Sequence, residues 1–428
     1  MILEALKRKH VNDDKLWEMV NRANKLTTGS YSSWVDNAAT LVPLMERILL
    51  RSKENEEWKV YVYAMSKLFW LVRRAAGEEL RRAFRLSEMF HQDCAQNLGE
   101  KLGRFEREWL VDMAAQVLGF YLDYPQIDDA KIEQMLNIFL DNEQRYGSSW
   151  NYGDYEIILR YALLNRDKKL AETAKKKLSR TDFSLWCYIC YYGKPVIRCY
   201  VLDNDIEGIE EMISSLCEKS IPADYQWCYT KCESKEKEVL VGEVLRDCMK
   251  YGTSELFGQI FDRWSVLYQE PEKGEVRDTH DVLFHALAGD WSREDDRLRL
   301  AEDDDRDARE HKETPLEMLY WALCWHCYFR ILDRNGTKTV RIRLGGTEDK
   351  FAKDGQAEDK FAEDKEKQEK ENLPERLCLD VAEYFERQAD ELGAQMDRAR
   401  KRFDYARVKR TYEECLLNTA VCAKGETS

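Results

Sequence analysis

Helix breakers are scarce in this chain: 7 prolines and 20 glycines are spread over 428 residues rich in Leu, Glu, Lys, Arg and Ala. A backbone with so few positions that stop a helix, built from residues that favour one, is confined to an almost wholly helical fold. The hydrophobic share of 44% is enough for a continuous core. A chain this long divides into two or three domains unless its core grows by repetition.

Helical periodicity then runs along the chain in pairs. Residues 58–74 (WKVYVYAMSKLFWLVRR) form one amphipathic segment, Gly77 interrupts, and 79–91 form the next. Segments 105–122 and 129–144 flank DYPQIDD, where Pro125 marks the turn and Asp128 is the expected N-cap. Further segments lie at 155–165 and 169–178, at 184–192, at 196–202 and 206–218, and at 236–251 and 254–268. Antiparallel pairs recurring every 35–45 residues, roughly, predict an α-solenoid, although an irregular bundle uses the same pattern.

The stretch 199–222, CYVLDNDIEGIEEMISSLCEKSIP, resembles the second half of a tetratricopeptide repeat. Tyr200 stands near the end of a first helix, Asn204 and Asp205 in a polar turn, Ile209 and Ile213 on a second helix, and Pro222 after it. Residues 161–178 echo it more loosely through Tyr161, Asn165 and Ala171. The resemblance implies an all-α fold of antiparallel helix pairs stacked as a tetratricopeptide-like α-solenoid, with a concave surface for a protein or peptide. Ile209 takes the place of the family's small residue at the helix crossing, which predicts wider packing there. Tyr155, Tyr161, Tyr188, Tyr192 and Tyr200 are the candidates for lining the groove.

The expected domain plan is a helical-repeat solenoid over 1–290, followed by four segments of different character. SREDDRLRLAEDDDRDAREHKE, 292–313, is almost all charge and is expected to be a loop or a solvated helix over 291–313. Its Asp303, Asp304 and Asp305 are hard-cation donors, but their spacing does not fit an EF-hand. Residues 314–344 are expected to be a buried helix plus one isolated strand closing the core. In TKTVRIRL, 337–344, Val340, Ile342 and Leu344 alternate with polar residues. Residues 345–373 carry EDKFAKD and EDKFAED, a near-duplication in a charged linker expected to be disordered. Residues 374–428 return to helix. There Arg398, Arg400, Lys401, Arg402, Arg407, Lys409 and Arg410 form a basic helix, a candidate contact for nucleic acid or an acidic partner.

Chemistry-bearing motifs are few. LCWHCYF, 323–329, holds Cys324, His326 and Cys327. Thr314, Pro315 and Glu317 match a capping box that starts a helix three turns earlier. A reactive Cys-x-x-Cys needs a helix N-terminus to lower its thiol pKa, so this one reads as core. His326 lies on another side of that helix and cannot join both thiols on one ion. Cys187 and Cys190 with Cys228 and Cys232 superficially match a zinc site, but the second pair is a residue too wide. The His280–Asp281 dipeptide lacks the further ligands of a hydrolase, and a partly exposed helix after Asp278 is expected there. No phosphate loop or nucleophile elbow is present. No catalytic residue, metal or cofactor is therefore assigned.

The net charge of −14 disfavours general nucleic-acid binding. No apolar run is long enough for a membrane span or a signal peptide. With 13 scattered cysteines, a reducing cytoplasm is expected, and the Asn335 sequon is then accidental. The leading expectation is a non-enzymatic scaffold or adaptor for a protein or peptide partner. The alternatives are a zinc-dependent or hydrolytic enzyme and a regulator that touches nucleic acid through the basic helix.

Overall fold

The computed structural model describes residues 13–25, 38–73, 77–146, 152–178, 193–218, 234–269, 278–291, 294–345 and 373–422. Among them the regular structure is helical, α apart from short 3-10 turns at Leu98–Lys101 and Ser265–Tyr268, with one two-stranded sheet, and the helices pack in pairs. The chain divides into two compact units, Met1–Ile158 and Leu159–Ser428.

The first unit contains α1 (Asp13–Lys25), α2 (Ala38–Glu54), α3 (Trp58–Val72), α4 (Gly77–Ala95), α5 (Glu106–Asp123) and α6 (Asp129–Tyr146). The expected helical region begins at residue 1, with no individual helix delimited before residue 58. Pro43 reads as a breaker, yet it sits in the second turn of α2, where it removes one backbone hydrogen bond without splitting the helix. α1 packs on α2 and α3, α3 on α4 and α5, and α5 on α6. α5 is buried nearly all round, from Leu110 to Leu122. Its Phe120 meets Phe69, Phe84 and Tyr124 at ring-centroid distances of 4.7–5.4 Å. The expected cap at DYPQIDD is formed: the Lys131 N–H donates to Asp128 Oδ1 at 2.9 Å.

α7 (Tyr152–Asn165) carries the chain into the second unit. There α8 (Lys168–Leu178), α9 (Gly193–Asp203), α10 (Ile206–Glu218), α11 (Ser234–Tyr251) and α12 (Ser254–Trp264) follow. One turn recurs. Arg166 adopts φ +54°, the Asp167 N–H donates to Ala162 O at 2.8 Å, and Asp167 Oδ1 accepts from Leu170 N at 3.0 Å. Asn204 adopts φ +58°, the Asp205 N–H donates to Tyr200 O at 2.9 Å, and Asp205 Oδ1 accepts from Gly208 N at 3.0 Å. One left-handed residue ends the first helix and the next residue caps the second. Thr253 caps α12 in the same way, accepting from Leu256 N at 3.2 Å.

Ile209 is buried, and at Gly208, one residue earlier, a Cβ would stand 2.5 Å from the Tyr200 ring.

The rest of the unit is α13 (Thr279–Leu287), α14 (Glu294–Arg309), α15 (Pro315–Arg334), β1 (Thr339–Arg341), β2 (Glu375–Leu377), α16 (Cys378–Ala399) and α17 (Tyr405–Cys422). The strand at 339–341 exists, but it is not isolated. It pairs antiparallel with β2, with Thr339 opposite Leu377 and Arg341 opposite Glu375. Val340, Ile342 and Leu344 are buried as the alternation requires. β2 was missed because three residues, two of them charged, carry no period. The duplicated segment between the strands lies outside the described residues.

The charged run also differs from its expectation. It forms α14, and that helix is not wholly solvated: Arg297, Asp304 and Asp305 are buried. Each is satisfied. Arg297 donates to Asp290 O at 2.7 Å. Asp304 Oδ2 accepts from Trp325 Nε1 at 2.8 Å and Thr279 Oγ1 at 2.5 Å. Asp305 accepts from Tyr384 Oη, Gln388 Nε2 and the Gly345 N–H at 2.6–3.1 Å. A buried charge is tolerated only with such partners, and those of Asp304 and Asp305 lie far away in sequence.

Candidate functional site

The CWHC helix starts as the sequence indicated, with Thr314 Oγ1 accepting from Glu317 N and Pro315 in the first turn. Only half of the capping box forms, because the Glu317 carboxylate turns to Lys250 Nζ at 3.5 Å. Cys324 and Cys327 are fully buried. Burial pushes the Cys327 thiol up to about 12 and Cys324 well above its ordinary value. Both are thiols at neutral pH, and thiols are poor nucleophiles and ligands.

His326 is different. It is almost completely buried, and it faces α16 and α17. Its Nδ1 lies 3.1 Å from Ala382 O, its Nε2 3.6 Å from Glu413 Oε1, and Nδ1 3.9 Å from Glu386 Oε2. One ligand atom from each of His326, Glu386 and Glu413 lies within 4.8 Å of the others. Two cations flank the group. Lys409 Nζ sits 2.7 Å from Glu386 Oε1 and 2.8 Å from Asp390 Oδ1. Arg330 Nη1 lies 3.9 Å from Glu413 Oε1 and 3.5 Å from His326 Nε2, the outer limit of a hydrogen bond. Burial pushes the His326 pKa down, and the Ala382 carbonyl and the two glutamates offset part of that. The imidazole is therefore neutral at pH 7. A carbonyl on Nδ1 selects the tautomer that leaves the Nε2 lone pair free to ligate. His326 was assigned to the core from sequence. The one available signal was a histidine in an otherwise apolar helix, since its two carboxylate neighbours sit on separate, distant helices.

A second polar group lies among α9, α11, α13, α15 and α17. Arg198 pairs with Asp247 and Arg246 with Asp278, each at 2.7 Å. Lys250 Nζ stands 4.2 Å over the Tyr320 ring, and His280 Nε2 lies 3.0 Å from Tyr412 Oη. Burial lowers the Lys250 pKa, with Glu317 acting against it, and holds His280 well below its usual range. A buried lysine of this kind has the chemistry of a nucleophile. Here the carboxylate and the aromatic face close it off. The helix starts after Asp278 as expected, with Asp278 capping α13 through the His280 and Asp281 N–H groups, but His280 and Asp281 are both buried, which corrects the expected partial exposure.

The residues singled out from sequence are scattered. Tyr155 and Tyr161 are buried, Tyr155 Oη donating to Glu143 at 2.6 Å, so these two belong to the core and not to an open groove. Tyr200 is half-buried, with Lys175 Nζ 4.1 Å over its ring. Tyr188, Tyr192 and the four cysteines Cys187, Cys190, Cys228 and Cys232 lie outside the described residues. Asp303 pairs with Arg306 at 2.6 Å while Asp304 and Asp305 turn to their own partners, so the acidic triplet does not converge on an ion.

The basic segment is not one helix. α16 ends at Ala399, Phe403 and Tyr405 are buried, and Asp404 caps α17 through Arg407 N at 3.0 Å. Arg400 is buried, and Arg407 reaches toward the Gly252 carbonyl at the end of α11. Lys409 is held by Glu386 and Asp390. Arg398, Lys401, Arg402 and Arg410 remain exposed. The apolar residues inside the basic run require burial and so break the stripe.

The first unit has a cleft of about 170 Å³ lined by Cys94, Asn97, Glu100, Asp141, Asn142 and Arg145. That is below the size of an ordinary small-molecule pocket. Among the described residues, no helix is long and apolar enough to cross a membrane. No protein-family model, curated protein or solved structure matches the chain.

Proposed function

We propose that the protein is a non-enzymatic scaffold or adaptor that binds a protein or peptide partner, built on tetratricopeptide-like helix pairs and working in the reducing cytoplasm. The observation that carries this is the repeated turn at Arg166–Asp167 and Asn204–Asp205, which joins α7 to α8 and α9 to α10 in the same way. The pairs then pack each on the next, α8 on α9, α9 on α10 and α11, α11 on α12. Units that stack on their neighbours bury a shared core and leave a continuous face for a partner. Among the described candidates Tyr200 is the half-buried tyrosine, and its ring lies between Gly208 and Lys175. The described cysteines are free thiols, which supports a reducing compartment.

Affinity capture from native lysate with the tagged full-length chain, read by mass spectrometry, tests the proposal. A stoichiometric protein partner is expected, lost on Tyr200→Ala with the thermal melt retained. Retention of nucleotide or nucleic acid with no protein partner overturns the scaffold. A partner held equally by the variant moves the contact away from Tyr200.

A further inference from the structure

We propose that His326, Glu386 and Glu413 bind a single divalent transition ion of the zinc type, pinning α15, α16 and α17 together. The donor set is one imidazole nitrogen and two carboxylate oxygens, a combination that suits zinc and its first-row neighbours. The three groups come from three helices and already meet within 4.8 Å of one another. A tetrahedral ion with bonds of about 2.0–2.1 Å needs donors about 3.4 Å apart. Small rotamer changes in the two glutamates, both about 30% exposed, supply the difference.

Three further features fit an ion. The imidazole is fixed by the Ala382 carbonyl at 3.1 Å on Nδ1, the outer-shell contact that metal-bound histidines use to set tautomer and orientation. Nε2 lies buried 3.6 Å from Glu413 Oε1, and the Arg330 guanidinium at 3.5 Å marks the position that the ion would take over. The group also has negative charge to spare. Glu386, Glu413 and Asp390 face Lys409 and Arg330, leaving one net negative charge with neutral His326. Lys409 holds Glu386 through Oε1, while Oε2 lies 3.9 Å from Nδ1 and has to swing around the ring edge toward Nε2 to ligate, which leaves the Oε1 pair with Lys409 in place. Solvent reaches the ion along the two part-exposed carboxylates, and water completes its coordination.

The test uses the full-length protein stripped with a chelator and titrated with Zn²⁺ and, separately, with Co²⁺. One equivalent is expected to bind, to raise the thermal midpoint, and to give a Co²⁺ spectrum without a thiolate charge-transfer band. Glu386→Gln and Glu413→Gln, both at part-exposed positions, are each expected to weaken binding about 100-fold or more while the circular dichroism spectrum is unchanged. Absence of stoichiometric binding overturns the site. So does binding of full strength in both variants, or a Co²⁺ spectrum dominated by thiolate, which would place the ion on cysteines instead.

Discussion

At the scale of single residues, buried groups have the largest leverage. Asp304 is buried against Trp325 and Thr279, and burial raises its pKa from 3.8 to about 6 although both partners favour the anion. The folded state therefore holds its proton more tightly than the unfolded chain. The stability from that proton is fully present below about pH 4 and is lost as pH rises through about 6. The shift corresponds to about 2–3 kcal/mol. Asp304→Asn should remove this dependence, so its stability relative to wild type should rise by that order between pH 4 and pH 8. Urea unfolding across the pH range measures it, and a flat difference would mean an ordinary carboxylate. Gly393 is a second pressure point. A Cβ there would stand 2.2–2.5 Å from atoms of the Tyr405 ring, so the ring packs on α16 as it does because position 393 has no side chain. Gly393→Ala should cost about 1–3 kcal/mol in chemical denaturation; an unchanged midpoint would show that Tyr405 can step aside freely.

At the scale of elements, ends were more legible than faces. The caps at Asp128, Asp278 and Thr314 follow from residue type and position, because a cap is satisfied within four residues of itself. Thr253 caps α12 and also donates to Asn204 Oδ1 at 2.8 Å, so Thr253→Ala should cost about 1 kcal/mol or slightly more in thermal unfolding. His311 ends α14 at φ +53° and is exposed. His311→Gly should therefore stabilise, by up to about 1 kcal/mol, since glycine alone carries no steric cost there. A drop in midpoint would reveal an unseen contact of the imidazole. α14 itself shows why faces misled. Its charges number enough to suggest full solvation, yet three of them point inward, each to a partner on another segment. The basic run failed for the matching reason, since Phe403 and Tyr405 within it need a core.

For the whole molecule, scarcity of breakers determined an all-α chain, and alternation at Val340, Ile342 and Leu344 determined a strand with one buried side. With Arg400 buried and Lys409 paired, the acidic chain should show no saturable binding to duplex DNA at physiological salt in an anisotropy titration. A steep, salt-sensitive isotherm abolished by Lys401→Glu with Arg402→Glu would reverse that conclusion. Periodicity and capping are local: they depend on residues a turn or two apart, and the sequence by itself determined them. Which faces meet is not local. The tertiary structure alone decided that His326 stands between Glu386 and Glu413, that Asp304 receives Trp325, and that β1 finds β2. Such meetings depend on how helices distant in sequence cross, and a crossing is set by the sum of many weak packing contacts that no short motif records.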